Sequence, residues 1–317
     1  MSESLLKFFS LLVLSLTGLQ AYADTVDDWL DKMSQAMNQQ NYQGVLIIRQ
    51  NDKLQSIKVM QGVTAKGSWQ TLESLTGEEQ KIIRNNDRVT TIFPGKRLIT
   101  ISENSERGPL HPVLPENRSV LKKLYSLKLT GQDRIANKTT QVLQIIPRDD
   151  HRYGYTFWLD NKSGMLLKCD LMDEKGRVLE QLMYSDIELL TDAPDQHVDA
   201  EKLSLYQKIY LSDKPHTSKK NWKAIKLPEG FLLTRSIVME NKDMQRPSYH
   251  MVYSDGMASV SVFIEHGKKD EKPAIGQSTM GPVNAYSSFI DDTYVTAIGE
   301  VPVATVRMIA QSMQSVQ

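Results

Sequence analysis

Cys169 is the only cysteine in 317 residues, and it sits in MLLKCDLMD with no activating partner close in sequence. Alternation along a strand would put Met165, Leu167, Cys169 and Leu171 on one face, an apolar row in which a thiol behaves as a small hydrophobe rather than a nucleophile. The six histidines, His111, His151, His197, His216, His250 and His266, share no i, i+3 or i, i+4 spacing on an expected helix, and neither HExxH nor CxxC occurs. Metal-ligand chemistry has no footprint of the usual kind. Carboxylates are paired at Asp27-Asp28, Asp149-Asp150 and Asp291-Asp292, each beside a turn or helix start. Neighbours on a strand point to opposite faces, so the pairs suit capping and turn solvation better than shared acid and base work. With no G-x-S-x-G elbow and no glycine-rich loop leading from a strand into a helix, the chain reads as a non-enzyme without metal or cofactor.

What remains is chemistry of binding. In RYGYTFWLD, Tyr153, Tyr155, Phe157 and Leu159 share one strand face, and Gly154, Thr156, Trp158 and Asp160 the other. The aromatic row either fills a core or forms one wall of an apolar pocket for an acyl chain or peptide. In the second case Arg148, His151 and Arg152 lie near its rim, where guanidinium groups would take a phosphate or carboxylate.

These residues need elements to position them. The chain starts MSESLLKFFSLLVLSLTGLQAYA, with Lys7 ahead of an apolar run from Phe8 to Leu16 and a small-x-small ending at Ala21-Tyr22-Ala23. The run is shorter than the roughly 20 residues that span a bilayer, so residues 1–23 read as a cleaved signal peptide. A lipid anchor would need a cysteine directly after the cleavage point, and Cys169 is far from it. A soluble exported chain is therefore expected. One cysteine allows no internal disulfide, so ordinary cores must hold the fold. Lys plus Arg and Asp plus Glu are 38 each, which gives no global field for nucleic acid or an anionic membrane.

Residues 24–40 place Val26, Trp29, Leu30, Met33, Ala36 and Met37 at helical spacing, with Asp24 or Thr25 as N-cap. Alternating runs then follow at short intervals from QGVLIIRQ to KRLITISE, and again from SLKLTGQDRI to RVLEQLMYSDIEL, punctuated by Asn51-Asp52, Asn86-Asp87 and Pro94-Gly95. About eleven strands in an antiparallel meander would have to twist and curve into a barrel or half-barrel. GPLHPVLPENRSVLKKLY interrupts them; it is expected to be extended over 109–115, then helical through Val120, Leu121, Leu124 and Tyr125, and is the best candidate for a lid. Residues 191–221 lose sustained alternation, which sets a linker at 211–221 between a large domain at 24–210 and a small one at 222–317. The latter reads as α+β, with a closing helix that opens at Pro302 and buries Val303, Val306, Ile309 and Ala310.

GQDRIANKTTQVLQIIPRDDHRYGYTFWLDNKSGMLLKCDLMDEKGRVLEQLMYSDI resembles the corresponding stretch of the RseB/MucB family of periplasmic regulators of the envelope-stress sigma factor, sigma-E. IFPG at 92–95, LPEGF at 227–231, VYSDGMASVSVFIE at 252–265 and MGPVNAYSSFIDDTYVTAIGEVPVATVRMIAQS at 280–312 extend the likeness over nearly the whole exported chain. The resemblance implies an α+β, mainly antiparallel fold: a curved half-barrel like the lipoprotein-localisation factors LolA and LolB, with helices on its concave side, and a smaller C-terminal α+β domain. It implies a soluble, unlipidated periplasmic protein that binds the periplasmic domain of the membrane-spanning anti-sigma factor RseA/MucA. The resemblance further implies that binding shields that domain from site-1 proteolysis by DegS, and that lipid or lipopolysaccharide loosens the complex. The family brings no catalytic motif. By resemblance, VYSDGMASVSVFIE is the first choice for partner contact, with Tyr253 as an aromatic anchor; a structural hairpin around Ser-Asp-Gly is the plainer account of the same residues. A soluble lipid carrier of the LolA type is the competing reading, against which the second domain argues. A homo-oligomer stays open, and no nucleic-acid partner is expected.

Overall fold

The computed structural model describes residues 24–86, 88–102, 114–115, 117–196, 203–211, 221–239, 248–266, 275–290 and 292–316. Outside them lie the expected signal peptide, the proline segment of the insert up to 113, residues 212–220 of the expected linker, His111, His197, His216 and Asp291.

Thr25 is the N-cap of α1 (Val26–Gln39), in a reciprocal box. The Asp28 amide donates to Thr25 Oγ1 at 3.3 Å and the Thr25 amide to Asp28 Oδ2 at 2.8 Å, which satisfies two otherwise orphan donors. Trp29, Leu30, Met33, Ala36 and Met37 are buried, the stripe that the helical spacing predicts. Strands β1 (Asn41–Gln50), β2 (Lys53–Thr64), β3 (Gly67–Ser74), β4 (Lys81–Asn85), β5 (Arg88–Phe93) and β6 (Leu98–Ser102) run as a meander. After α2 (Arg118–Leu124) come β7 (Tyr125–Ile135), β8 (Lys138–Pro147), β9 (Gly154–Asp160), β10 (Leu166–Met172) and β11 (Val178–Leu190). The long β11 returns beside β1, so the two meanders join in mid-sheet in the order β6-β5-β4-β3-β2-β1-β11-β10-β9-β8-β7.

A twelfth strand, β12 (Gln207–Leu211), pairs with β6 in parallel and makes the far edge of this open sheet. The sequence reading missed it for a physical reason. All of its residues are exposed, so no alternation marks it; the unpaired backbone edge of β6 recruits it. α1 and α2 contribute to one core with the sheet, in which Leu30, Leu121, Leu143, Ile145, Phe157 and Leu159 are all fully buried.

The C-terminal part is a six-stranded antiparallel sheet and a small ribbon. β13 (Asn221–Ala224) pairs with β20 (Met313–Val316). β14 (Leu232–Met239), β15 (Ser248–Ser254), β16 (Ser259–His266), β17 (Gly276–Met280), β18 (Val283–Ile290) and β19 (Thr293–Gly299) lie in the order β14-β15-β16-β19-β18-β17. α3 (Val303–Gln311) packs on β18 and β19 and seats Val306 and Ile309 in a core with Val260, Val262 and Val295. Each such aliphatic side chain contributes about 1.5–3 kcal/mol by leaving water.

Two details of α3 differ from expectation. Pro302, with ψ 149, is the N-cap rather than the first helical residue, and Thr305 rather than Val303 is buried with the stripe. The reason for Thr305 lies outside the C-terminal sheet: its hydroxyl reaches the connection between β8 and β9.

Candidate functional site

The aromatic row of β9 lies in the core of the large sheet. Tyr155 is 6% exposed and Phe157 0%, and they stand opposite Leu171 and Cys169 of β10 and Ile145 and Leu143 of β8. Cys169 is a free, buried thiol; burial, followed by the charge of Asp170, pushes its pKa well up. On the other face Trp158 donates from Nε1 to Asp133 Oδ2 at 2.9 Å, and Lys168 Nζ sits 3.8 Å from the indole centroid.

Beside this row is a small, shallow apolar cleft between α1 and β10–β11. Met37, Leu46, Leu167, Cys169, Leu182 and Tyr184 line it. Tyr184 ties the cleft to a buried polar chain that the sequence reading did not foresee. Its hydroxyl donates to Tyr42 Oη at 3.5 Å, and Gln70 Nε2 donates to the same oxygen at 3.3 Å. Gln61 Nε2 donates to the carbonyls of Met37 and Gln40 at 2.9 and 3.1 Å, satisfying acceptors at the C-terminal end of α1 that have no helical partner.

Of the remaining residues singled out in the sequence, His151, Arg152 and Tyr153 reach the junction of the two sheets. Arg148 is exposed, and its Nε donates to the Lys122 carbonyl at 3.3 Å, holding the end of α2. The next three positions after the Asp149-Asp150 turn each reach a different element of the C-terminal part. The His151 carbonyl accepts from Thr305 Oγ1 at 2.8 Å. The Tyr153 hydroxyl accepts from Asn284 Nδ2 at 2.9 Å, and the same amide nitrogen donates to the Val301 carbonyl at 2.7 Å.

Arg152, between them, is 2% exposed. Its Nε and Nη2 donate to the two carboxylate oxygens of Asp149 at 3.0 and 2.9 Å, Nη1 to Asp255 Oδ2 at 2.5 Å, and Nη2 also to the Glu229 carbonyl at 2.7 Å. The guanidinium carbon lies 5.6 Å from the Tyr125 ring centroid and 5.4 Å from that of Phe231. Burial alone would lower the pKa of this group. The Asp149 hydrogen bonds and the Asp255 charge outweigh it and hold the pKa above its ordinary value. The Tyr125 hydroxyl donates to Asp255 Oδ2 at 3.1 Å, and burial, then the Asp255 charge, raises its pKa strongly.

Asp255 belongs to the Ser-Asp-Gly turn between β15 and β16. Its other oxygen, Oδ1, accepts from the Met257 and Ala258 amides at 2.8 and 2.7 Å, so one carboxylate shapes the turn and binds across the junction. Close packing completes the contact. Gly230 (φ +83) and Gly256 (φ +98) leave no room for a Cβ, which would stand 2.5 Å from Leu124 Cδ1 and 2.7 Å from Pro115 Cβ respectively. Tyr253 is not at this surface: it is 2% exposed, and its hydroxyl accepts from the Ala224 amide at 3.0 Å inside the C-terminal core. Among the described residues, no three His, Cys, Asp or Glu side chains come together as metal ligands, and no helix is long and apolar enough to cross a membrane.

Comparison with known proteins agrees with this two-part build. The profile of the MucB/RseB N-terminal domain matches residues 25–202, and that of the MucB/RseB C-terminal domain matches residues 216–314. The sigma factor AlgU regulatory protein MucB of Pseudomonas aeruginosa is 30% identical over 314 residues, 96% of either chain. The sigma-E factor regulatory protein RseB of Haemophilus influenzae is 27% identical over 293 residues, 90% of either chain. Among solved structures, the Pseudomonas aeruginosa MucA/MucB complex aligns at TM-score 0.71 and 29% identity, covering 92% of this chain and 99% of that one. MucB in complex with MucA(peri) aligns at TM-score 0.70 and 27% identity, covering 92% and 100%. With both of its halves matched in order and a relative that spans nearly its full length, the chain belongs to the MucB/RseB family.

Proposed function

We propose that this protein is a periplasmic regulatory binding protein without enzymatic activity. It binds the periplasmic domain of a membrane-spanning anti-sigma factor of the RseA/MucA kind, shields it from site-1 proteolysis and so restrains the sigma-E response. The observation that carries this reading is the likeness over 92% of the chain to a MucB solved together with MucA. A binding role also suits the geometry: the polar groups of the junction are all paired with one another, and neither they nor the apolar cleft form a nucleophile, base and oxyanion arrangement.

The finer organisation belongs to the same proposal: a signal peptide at 1–23, a large domain at 24–210, a linker at 211–221 and a small domain at 222–317. In it the large sheet is a curved half-barrel of the LolA/LolB kind with helices on its concave side. We further propose that the apolar part of a lipid or lipopolysaccharide is received at the cleft between α1 and β10–β11, against Leu167, Cys169 and Leu182. Arg152 and Tyr153 are engaged by Asp255 and Asn284, so a ligand would reach them only by opening the junction.

The test is to incubate residues 24–317 with the anti-sigma periplasmic domain and its site-1 protease. Saturating protein should slow cleavage. Unchanged cleavage under those conditions would rule the reading out.

A further inference from the structure

We propose that His151, Arg152 and Tyr153 form a latch that holds the C-terminal domain on the N-terminal one, and that opening it is a discrete transition in which both domains stay folded. The three residues are consecutive in the connection between β8 and β9, yet they grip the start of α3, the β15–β16 turn and β18. A single short segment therefore fixes the second domain at three separated points, enough to set its orientation as well as its distance.

The chemistry of Arg152 makes the latch two-state. Seated, its guanidinium has two carboxylates, a carbonyl and two ring faces around it. A partly withdrawn Arg152 would leave Asp255, 0% exposed at its side chain, as an uncompensated charge in a water-poor site. Such a state is strongly disfavoured, so the guanidinium is either seated or fully hydrated. Tyr125 adds a buried bond to the same Asp255 oxygen, and the remaining contacts named across the junction are of a different kind. Gly230 and Gly256 supply close packing, and the Lys123–Glu229 pair at 2.6 Å is solvent-exposed on both sides and holds little.

The latch is also continuous with the cleft. Tyr153 leads directly into β9, whose Tyr155 and Phe157 stand against Leu171 and Cys169. β10 lines the cleft through Leu167 and Cys169 and pairs with β9, so it is the element through which a change at the cleft would reach Tyr153 and Arg152, and from there Asn284 and Asp255.

Asp255→Asn is the informative variant, because its side-chain oxygen can still cap the turn at Met257 and Ala258 while the charge facing Arg152 is gone. The opened population should rise on the order of a hundredfold, as when one partner of a buried charge pair between two bodies is lost. It is read as a larger radius of gyration by small-angle X-ray scattering and as one calorimetric transition splitting into two, with unchanged far-UV circular dichroism. A folded Asp255→Asn protein with the parent's radius and a single transition would overturn the proposal. Should that variant fail to fold, Tyr153→Phe combined with Thr305→Val decides, since it removes two neutral bonds of the latch and leaves the Asn284 bonds to Val301 and Thr279 in place. A larger radius supports the latch, and an unchanged one overturns it.

Discussion

Arg152 of the N-terminal domain and Asp255 of the C-terminal domain are joined Nη1 to Oδ2 at 2.5 Å, with 0% of either side chain exposed. Removing one partner leaves the other buried and uncompensated, which costs far more than the intact pair contributes. Arg152→Met should therefore lose about 3–5 kcal/mol in urea denaturation. Arg152→Lys should lose less, because it keeps a charge but not the fork that engages Asp149 through Nε and Nη2. Equal losses for the two variants would mean that a charge without the fork contributes nothing here, and would contradict the reading that an uncompensated Asp255 sets the cost.

Gly230 and Gly256 test the packing of the same junction. Both hold positive φ, and a Cβ on either would collide with the facing Leu124 or Pro115. Gly176 also holds positive φ, at +73, but has open space around it. Gly176→Ala should cost only the left-handed backbone penalty, about 1–2 kcal/mol. Gly256→Ala should cost that and a steric displacement of the neighbouring domain, so its thermal midpoint should fall further. Matching midpoints for the two variants would contradict the close approach.

Glu180 sets a pH dependence. Burial first, and the charge of Glu300 second, raise its carboxyl from 4.5 to about 7, against the hydrogen bond from Gln50. Between those two values the native state keeps a proton that the unfolded chain has released, so this contribution to stability falls as pH rises through the window and is level above it. Glu180→Gln should flatten the change in thermal midpoint between pH 5 and 8, on the order of the window above, and be more stable than its parent at the alkaline end. Glu300→Gln should move the window to lower pH. A parent and Glu180→Gln protein with parallel profiles would contradict the assignment.

Cys169 should be chemically silent in the native protein. It is 3% exposed and its pKa is raised, so the thiolate is scarce and shielded. A thiol reagent at neutral pH should label it only in denaturant. Cys169→Ala should cost roughly 1–2 kcal/mol of transfer and cavity energy. Cys169→Ser should cost at least as much, through a hydroxyl buried among Phe157, Leu167 and Tyr184.

The strands, the first helix and the apolar stripe of the last helix were legible because they are amphipathic, and Thr25 because a capping box is a local device. The identity of the burying residues at the junction was not. Thr305 looks like a polar interruption of the α3 stripe until His151 is brought beside it, and Asp255 looks like a turn residue because one of its oxygens is one. In the sequence Arg152 reads as the rim of a pocket and Tyr153 as part of its aromatic wall, since nothing local says that Asp255 and Asn284, more than 100 residues later, will meet them. Tyr253 was read as a surface anchor, and its packing inside the C-terminal core depends on β13, which returns beside β20. Aromatic and charged residues carry the same signal whether they face a partner protein or a second domain of their own chain.

Binding of the anti-sigma factor is measured without an intermediary by titration calorimetry. Residues 24–317 are titrated into the purified periplasmic domain of an anti-sigma factor of the RseA/MucA kind. A saturable binding isotherm is expected, and a folded Arg152→Lys protein should retain it in part. Absence of binding heat at every temperature tried, together with separate elution of the two proteins on size exclusion, would contradict it.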